Sequence, residues 1–210
     1  MKNSVTRIFP SFTTDLEGNI NWMYLDVKGL VTTGKGNLID PVSLALALPF
    51  AKIDKVPASR QEIVDEWNKM KTNTYLAKAG ANAARKIASL FIAQSDVDAL
   101  VLKQLYMNEK VLVTHFPEWN SWPADAQLGV CSIAWAMGPE FVHKFPRFTQ
   151  ACKKNDWKTA SLECFMNTTN NKGLVPRNYI DRKLFECAAR VVEPRLDPEV
   201  IWALRSFDHS

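Results

Sequence analysis

Residues 21–37 read NWMYLDVKGLVTTGKGN. Aromatic and β-branched residues flank Lys28-Gly29, and Gly34 and Gly36 punctuate the far end. That arrangement predicts a tight β-hairpin, extended by a third short strand. On its N-terminal side the chain is polar around Pro10, and Pro10–Leu16 predicts a short helix that ends at Gly18. From Pro41 onward the pattern is helical. PVSLALALPF predicts a short apolar helix stopped by Pro49. Ser59, with Glu62 three residues on, predicts a capping box for a helix running to about Lys71. The Ala-rich stretch 81–93 reads as helix, and Ser95 or Asp96 caps another through DVDALVLKQLYM. Pro123 opens the apolar helix ADAQLGVCSIAWAM, which Gly138-Pro139 ends. FPRFTQACKK and DWKTASLECFM read as amphipathic helices joined at Asn155-Asp156, TTNNKG as a loop, and 179–192 and 198–206 as closing helices. The fold class expected is α+β and predominantly helical. Non-helical polar residues concentrate at 15–37 and 168–178. If those segments face each other, they bound a cleft between a small β-containing lobe and a helical lobe.

The chain has 210 residues, 47% apolar and 23% charged. These proportions exclude global disorder and fibrous repeats and leave enough chain for a real core. The longest apolar run, around 44–51, is far short of the roughly 18 residues of a membrane helix. The opening MKNSVTRIFPSF lacks an apolar h-region, so no secretory signal is expected. The net charge is +4, and basic residues are scattered, with dense pairs such as Lys153-Lys154 and Arg182-Lys183. Solvated helix faces account for them, and neither nucleic acid nor membrane is expected as a partner. Cysteines at 131, 152, 164 and 187 form no CxxC and sit mostly in apolar helical stretches, as buried reduced thiols would. His115, His143 and His209 are far apart in the sequence and match no metal motif, so no metal and no cofactor is expected.

Glu17, Asp26 and Thr32 are the candidate residues for the chemistry. Glu17 precedes Gly18 at the end of the first helix, Asp26 follows Tyr24-Leu25 at the end of the first strand, and Thr32 lies in the return strand. A helix end facing a hairpin can set two carboxyl groups across a groove. Glycoside hydrolysis needs one protonated carboxyl for the leaving oxygen and one ionised carboxylate for water or sugar, in different environments. A hydroxyl such as that of Thr32 can hold the attacking water, and both Asp26 and Thr32 are expected to be exposed in the groove. Each residue also has a plain structural reading: a solvated helix-end carboxylate, a turn aspartate and a β-branched strand former. Gly34-Lys35-Gly36 lacks the spacing of a phosphate loop. Trp119, Trp122 and Trp135 could stack on sugar, although aromatics at helical spacing usually build core.

The spacing E-x8-D-x5-T, from Glu17 through Asp26 to Thr32, resembles the catalytic signature of phage-type lysozymes, the endolysin-like muramidases of glycoside hydrolase family twenty-four. With 10 Glu, 12 Asp and 12 Thr in the chain, about 0.03 chance matches are expected, so the spacing carries weight. YLDVKGLVTTGKGNL, with Tyr24 and Gly36, is similar to the hairpin of that family. QSDVDALV resembles the start of its lobe-joining helix, and 124–168 resembles the core of its helical lobe. GLVPRN resembles the segment that supplies an arginine beside the catalytic glutamate, here Arg177. Residues 40–86 look longer than in minimal phage enzymes. Asn37 stands where many relatives have a histidine paired with an aspartate, here Asp96. Ala136 and Trp135 replace a glutamine and a phenylalanine of the cleft.

The resemblance implies a single lysozyme-like domain over 1–210. Residues of about 17–85 form a small lobe with the hairpin and an insertion. Residues of about 86–210 form a linker helix and a helical lobe, on which 1–16 pack, and the active-site groove lies between the lobes. It implies hydrolysis of the β-1,4 bond between N-acetylmuramic acid and N-acetylglucosamine in peptidoglycan. Glu17 is then the general acid, balanced by Arg177; Asp26 activates water and Thr32 holds it; Tyr24, Gly36 and Trp135 support or bind substrate. Inversion at the anomeric carbon implies carboxyl groups about 6.5–9.5 Å apart. The partners implied are peptidoglycan glycan strands and, for a delivered toxin, a cognate inhibitor protein, with the enzyme itself a monomer. Made without a signal peptide, it would act in the periplasm or cell wall after release as a phage endolysin or delivery as a bacterial effector. The alternatives are a non-hydrolytic peptidoglycan-binding or phage-tail relative, and a lytic transglycosylase or chitinase-like enzyme.

Overall fold

In a computed structural model of the chain, which describes residues 1–169, 171–191 and 196–205, the Lys28-Gly29 turn joins β1 (Ile20–Leu25) to β2 (Val31–Gly34). A second turn over Gly34-Lys35-Gly36 leads into β3 (Asn37–Leu38), and the three strands form one antiparallel sheet in sequence order. Tyr24 pairs with Thr32 and Leu25 with Val31, and an irregularity between Ile20 and Tyr24 shifts the register. Among the described residues helices predominate around this small sheet, an α+β composition. The chain divides into two compact units, residues 17–101 and residues 1–16 with 102–210.

The hairpin unit, 17–101, encloses its own core. Met23 and Leu25 of β1 and Val31 of β2 pack with Ile39, Phe50, Ile63, Met70, Leu90 and Ile92. Helix α2 is a single turn (Val42–Ala45), much shorter than its apolar run suggests. Helix α3 (Arg60–Thr72) starts with the expected capping box: Glu62 N–H donates to Ser59 Oγ and Ser59 N–H to the Glu62 carboxylate. The Lys52 ammonium, together with that capping amide, holds the Glu62 carboxyl down to about 2. Short helices α4 (Leu76–Ala79) and α5 (Ala81–Arg85) follow. The helix expected over 81–93 stops at Arg85. Beyond it Leu90 and Ile92 point into the core in alternation, a strand-like period. Phe91 exchanges both backbone hydrogen bonds with Ala51 (2.8 Å each), and Ile92 N–H donates to Asn21 O. Helix α6 (Gln94–His115) contributes Val97 to this unit.

The segment 40–86 packs directly on the hairpin. Trp67 Nε1–H donates to Ile39 O, and Trp22 Nε1–H to Ala81 O, each at 2.9 Å. Glu66 is buried and accepts from Ser89 N–H and Ser89 Oγ at 2.8 Å, fixing the return of the chain.

In the second, helical unit, α1 (Asn3–Glu17) begins seven residues before the expected start and runs through Pro10. The apolar stripe Val5, Phe9 and Phe12 is buried. Burying each of these side chains contributes about 1.5–3 kcal/mol, which outweighs the roughly 3 kcal/mol cost of an interior proline. Helix α7 (Ala124–Met137) is buried over Ala124–Ala134 and ends at Gly138 in the left-handed region, φ 81°. It packs against α10 (Leu174–Val191), which also meets α9 (Trp157–Glu163); α8 (Pro146–Lys153) packs on α9. Asn155, at φ 54°, turns the chain between α8 and α9, and Asp156 caps the latter through Thr159 N–H. Helix α10 starts at Leu174, not at Tyr179. Pro176 falls in its first turn, where no intrahelical N–H partner is needed, so Arg177 and Asn178 are helical. Helix α11 is short (Trp202–Arg205), and the end of the last expected helix, like Val192 and His209, lies outside the described residues. The buried Asp125 carboxylate accepts from Trp202 N–H and Ala203 N–H.

Trp119 and Trp122 are core: their rings lie 5.3 Å apart, and Trp122 meets Trp157 edge-on at 4.9 Å. Cys131, Cys152, Cys164 and Cys187 are all free thiols, the first three buried. Among the described residues no helix is long and apolar enough to cross a membrane.

Candidate active site

Glu17 is the last residue of α1 and is exposed; Gly18, at φ 75°, releases the chain toward β1. Asp26 follows the last residue of β1. Its Oδ1 accepts from Lys28 N–H at 2.8 Å and Leu30 N–H at 2.9 Å, while its own N–H donates to Leu30 O. The aspartate therefore builds the turn it sits in, through one carboxylate oxygen. Tyr24 stands one residue before Leu25 on β1, directly across from Thr32. Burial, the Asp26 charge and the Glu17 charge together push the Tyr24 phenol up to about 12. Both carboxyl groups thus act on one phenol at the hairpin.

Thr32 departs from expectation. It is 3% exposed, not open to a groove, and its hydroxyl donates to Leu30 O at 3.1 Å. The cause is local: β2 is the middle strand, covered on both sides along its hydrogen-bonding edges, and all four of its residues are buried.

Gly36 is exposed at φ 82° in the second turn, and Gly34, at φ 65°, leaves no room for a side chain: a Cβ there would meet Asn37 Oδ1 at 2.6 Å. Asn37 Oδ1 accepts from Lys35 N–H. Lys35 itself is buried, with its ammonium 3.2 Å from Asp98 Oδ1, which Gln94 Nε2 also reaches. The ion pair between this turn and α6 therefore runs from Lys35 to Asp98, while Asn37 fixes the turn.

Sequence reasoning missed the support behind the Asp26 turn. Lys71, near the end of α3, places its Nζ 3.0 Å from Gly29 O and 2.6 Å from Asp40 Oδ2. Asp40 Oδ2 also accepts from Val31 N–H, and the Lys71 hydrogen bond holds its carboxyl below the usual range. No spacing rule finds such a contact, because one partner of Lys71 is a backbone carbonyl.

The two other expected site residues belong to the helical unit. Trp135 is half-buried with its ring edge-on to Phe9 at 5.5 Å. Arg177 is 2% exposed, and its Nη1 donates to Ser132 Oγ at 2.9 Å and Ser132 O at 3.1 Å. Asp181, one turn further along α10, is fully buried. Burial pushes its carboxyl up to about 7 against the pull of Ser132 and Arg177. The same unit brings together groups that are distant in sequence: His115 and His143 both meet the Glu140 carboxylate.

No protein-family model matches the chain, and no curated protein matches it significantly. Any likeness to phage-type lysozymes therefore stands on the chain's own residues.

Proposed function

We propose that this chain is a peptidoglycan muramidase with a lysozyme-like fold, cleaving the β-1,4 bond between N-acetylmuramic acid and N-acetylglucosamine with inversion. Glu17 donates a proton to the leaving glycosidic oxygen, and Asp26 accepts a proton from the water that attacks the anomeric carbon. The Asp26 oxygen that does not serve the turn is the base. Thr32 holds the return strand behind the Asp26 turn through Leu30 O, and Tyr24 and Gly36 shape the surface on which sugar lies. Substrate covering the exposed end of α1 supplies the desolvation that a carboxyl needs to keep its proton. Arg177 and Trp135 support the fold of the helical unit. The enzyme works as a monomer on glycan strands in the periplasm or cell wall, and a delivered form would be met by a cognate inhibitor.

One observation supports this reading: the hairpin pairs Tyr24 with Thr32 and turns through Asp26, so Asp26 and Thr32 of the E-x8-D-x5-T spacing sit on one hairpin that α1 enters from Glu17. The test is clearance of a suspension of purified cell walls. Wild type is expected to clear it and Glu17→Gln, folded to the same extent, to leave it turbid. Clearance by both, or by neither, contradicts the assignment.

A second reading has its own support. Thr32 is buried and Asp26 organises a turn, as both would in a non-hydrolytic peptidoglycan-binding relative. That reading expects retention of wild type on sacculi without release of soluble fragments.

A further inference from the structure

We propose that His115, Glu140 and His143 form a surface site for a single zinc-class divalent cation. His115 is the last residue of α6, and Glu140 and His143 lie in the 3₁₀ turn Pro139–His143. With three residues per turn, positions 140 and 143 share one face of that turn. Both histidine Nε2 atoms approach the same oxygen: Glu140 Oε2 is 3.2 Å from His115 Nε2 and 3.3 Å from His143 Nε2. The three ligand atoms all lie within 4.8 Å of one another, and the rings stand edge to face at 5.4 Å and 88°.

The two imidazole–carboxylate separations match a metal's geometry. Zinc binds imidazole nitrogen and carboxylate oxygen at about 2.0–2.2 Å, so the edge between two ligands of a tetrahedron is about 3.3 Å. Two imidazoles and one carboxylate are a borderline-soft set that prefers zinc, copper or nickel to magnesium or calcium. A cation would take both imidazoles and the carboxylate as ligands and leave a fourth position for water. Lys153 lines the hollow beside the two histidines. Bound there, the ion would staple the end of α6 to the 139–143 turn.

The test is calorimetric titration of the full chain with zinc chloride, and separately with magnesium chloride, in a Cys187→Ser background that removes the half-buried thiol. One zinc per chain is expected, with a raised Tm and no magnesium uptake. His143→Ala and Glu140→Gln should each weaken zinc binding at least about tenfold. Both variants should fold, since the Glu140 and His143 side chains are 65% and 72% exposed. Cobalt in place of zinc should give the visible absorption of a tetrahedral centre. No stoichiometric zinc binding, or binding unchanged in His143→Ala, overturns the proposal.

Discussion

Lys71 donates to the carbonyl oxygen of Gly29 at 3.0 Å, so α3 ends on the turn that Asp26 organises. The same ammonium pairs with Asp40, whose carboxylate receives Val31 N–H from the return strand. The segment 40–86 is therefore a buttress for the hairpin, and its sequence makes physical sense only once the hairpin is in place.

Lys71→Met should separate positioning from stability. A partly exposed ion pair contributes at most about 1 kcal/mol, which is roughly 2–4 °C in Tm for a chain of this size. A catalytic carboxylate displaced by a loosened turn loses roughly ten- to a hundredfold in rate. The expected outcome is a small Tm loss with a large fall in cell-wall hydrolysis, read by differential scanning fluorimetry and fragment release on the same samples.

Asp26→Asn isolates the charge from the turn. An asparagine Oδ1 can still accept from Lys28 N–H and Leu30 N–H, so the hairpin should keep its shape. Removing a general base should cost about 10²–10⁴ in turnover. The Tyr24 phenol, raised partly by that charge, should titrate lower in the variant by NMR. Unchanged turnover with an unaltered fold would assign Asp26 to the turn alone.

The helical unit should lose stability as pH rises from about 4 to about 7. Burial raises Asp125 to about 6 and Asp181 to about 7, so in that window the folded state holds protons that the unfolded state has released. Protonation thus favours folding, and Tm should fall with increasing pH. Asp181→Asn, which cannot ionise, should flatten the upper part of that slope in thermal melts at pH 5 and pH 7.5.

Gly129→Ala tests the contact between α7 and α10. A Cβ at 129 would lie 2.7 Å from Phe185 Cζ across α7 and α10. Alanine favours a helix over glycine by roughly 0.5–1 kcal/mol, but overpacking of this kind costs about 1–3 kcal/mol. Chemical denaturation should therefore show a net loss of stability.

The hairpin, the Ser59 capping box and the α7 boundaries are legible in the sequence because each rests on local chemistry: turn glycines, a side chain within reach of its own backbone, a proline and a glycine at the two ends. The start of α1 is not, since tertiary burial of Val5 and Phe9 overrides the break that Pro10 signals. The early start of α10 is hidden by the polar look of residues around Arg177, whose partner Ser132 is supplied by packing. Glu17 and Asp26 could be named from spacing. The burial of Thr32, the Lys71 buttress and the meeting of His115 with His143 arise only from how the elements assemble.

The most direct measurement is mass spectrometry of fragments released from purified peptidoglycan by wild type and by Glu17→Gln at equal folded concentration. The account predicts muropeptides with intact reducing N-acetylmuramic acid ends from wild type and none from the variant. Ends carrying 1,6-anhydro-muramic acid, or equal release by both proteins, would contradict it.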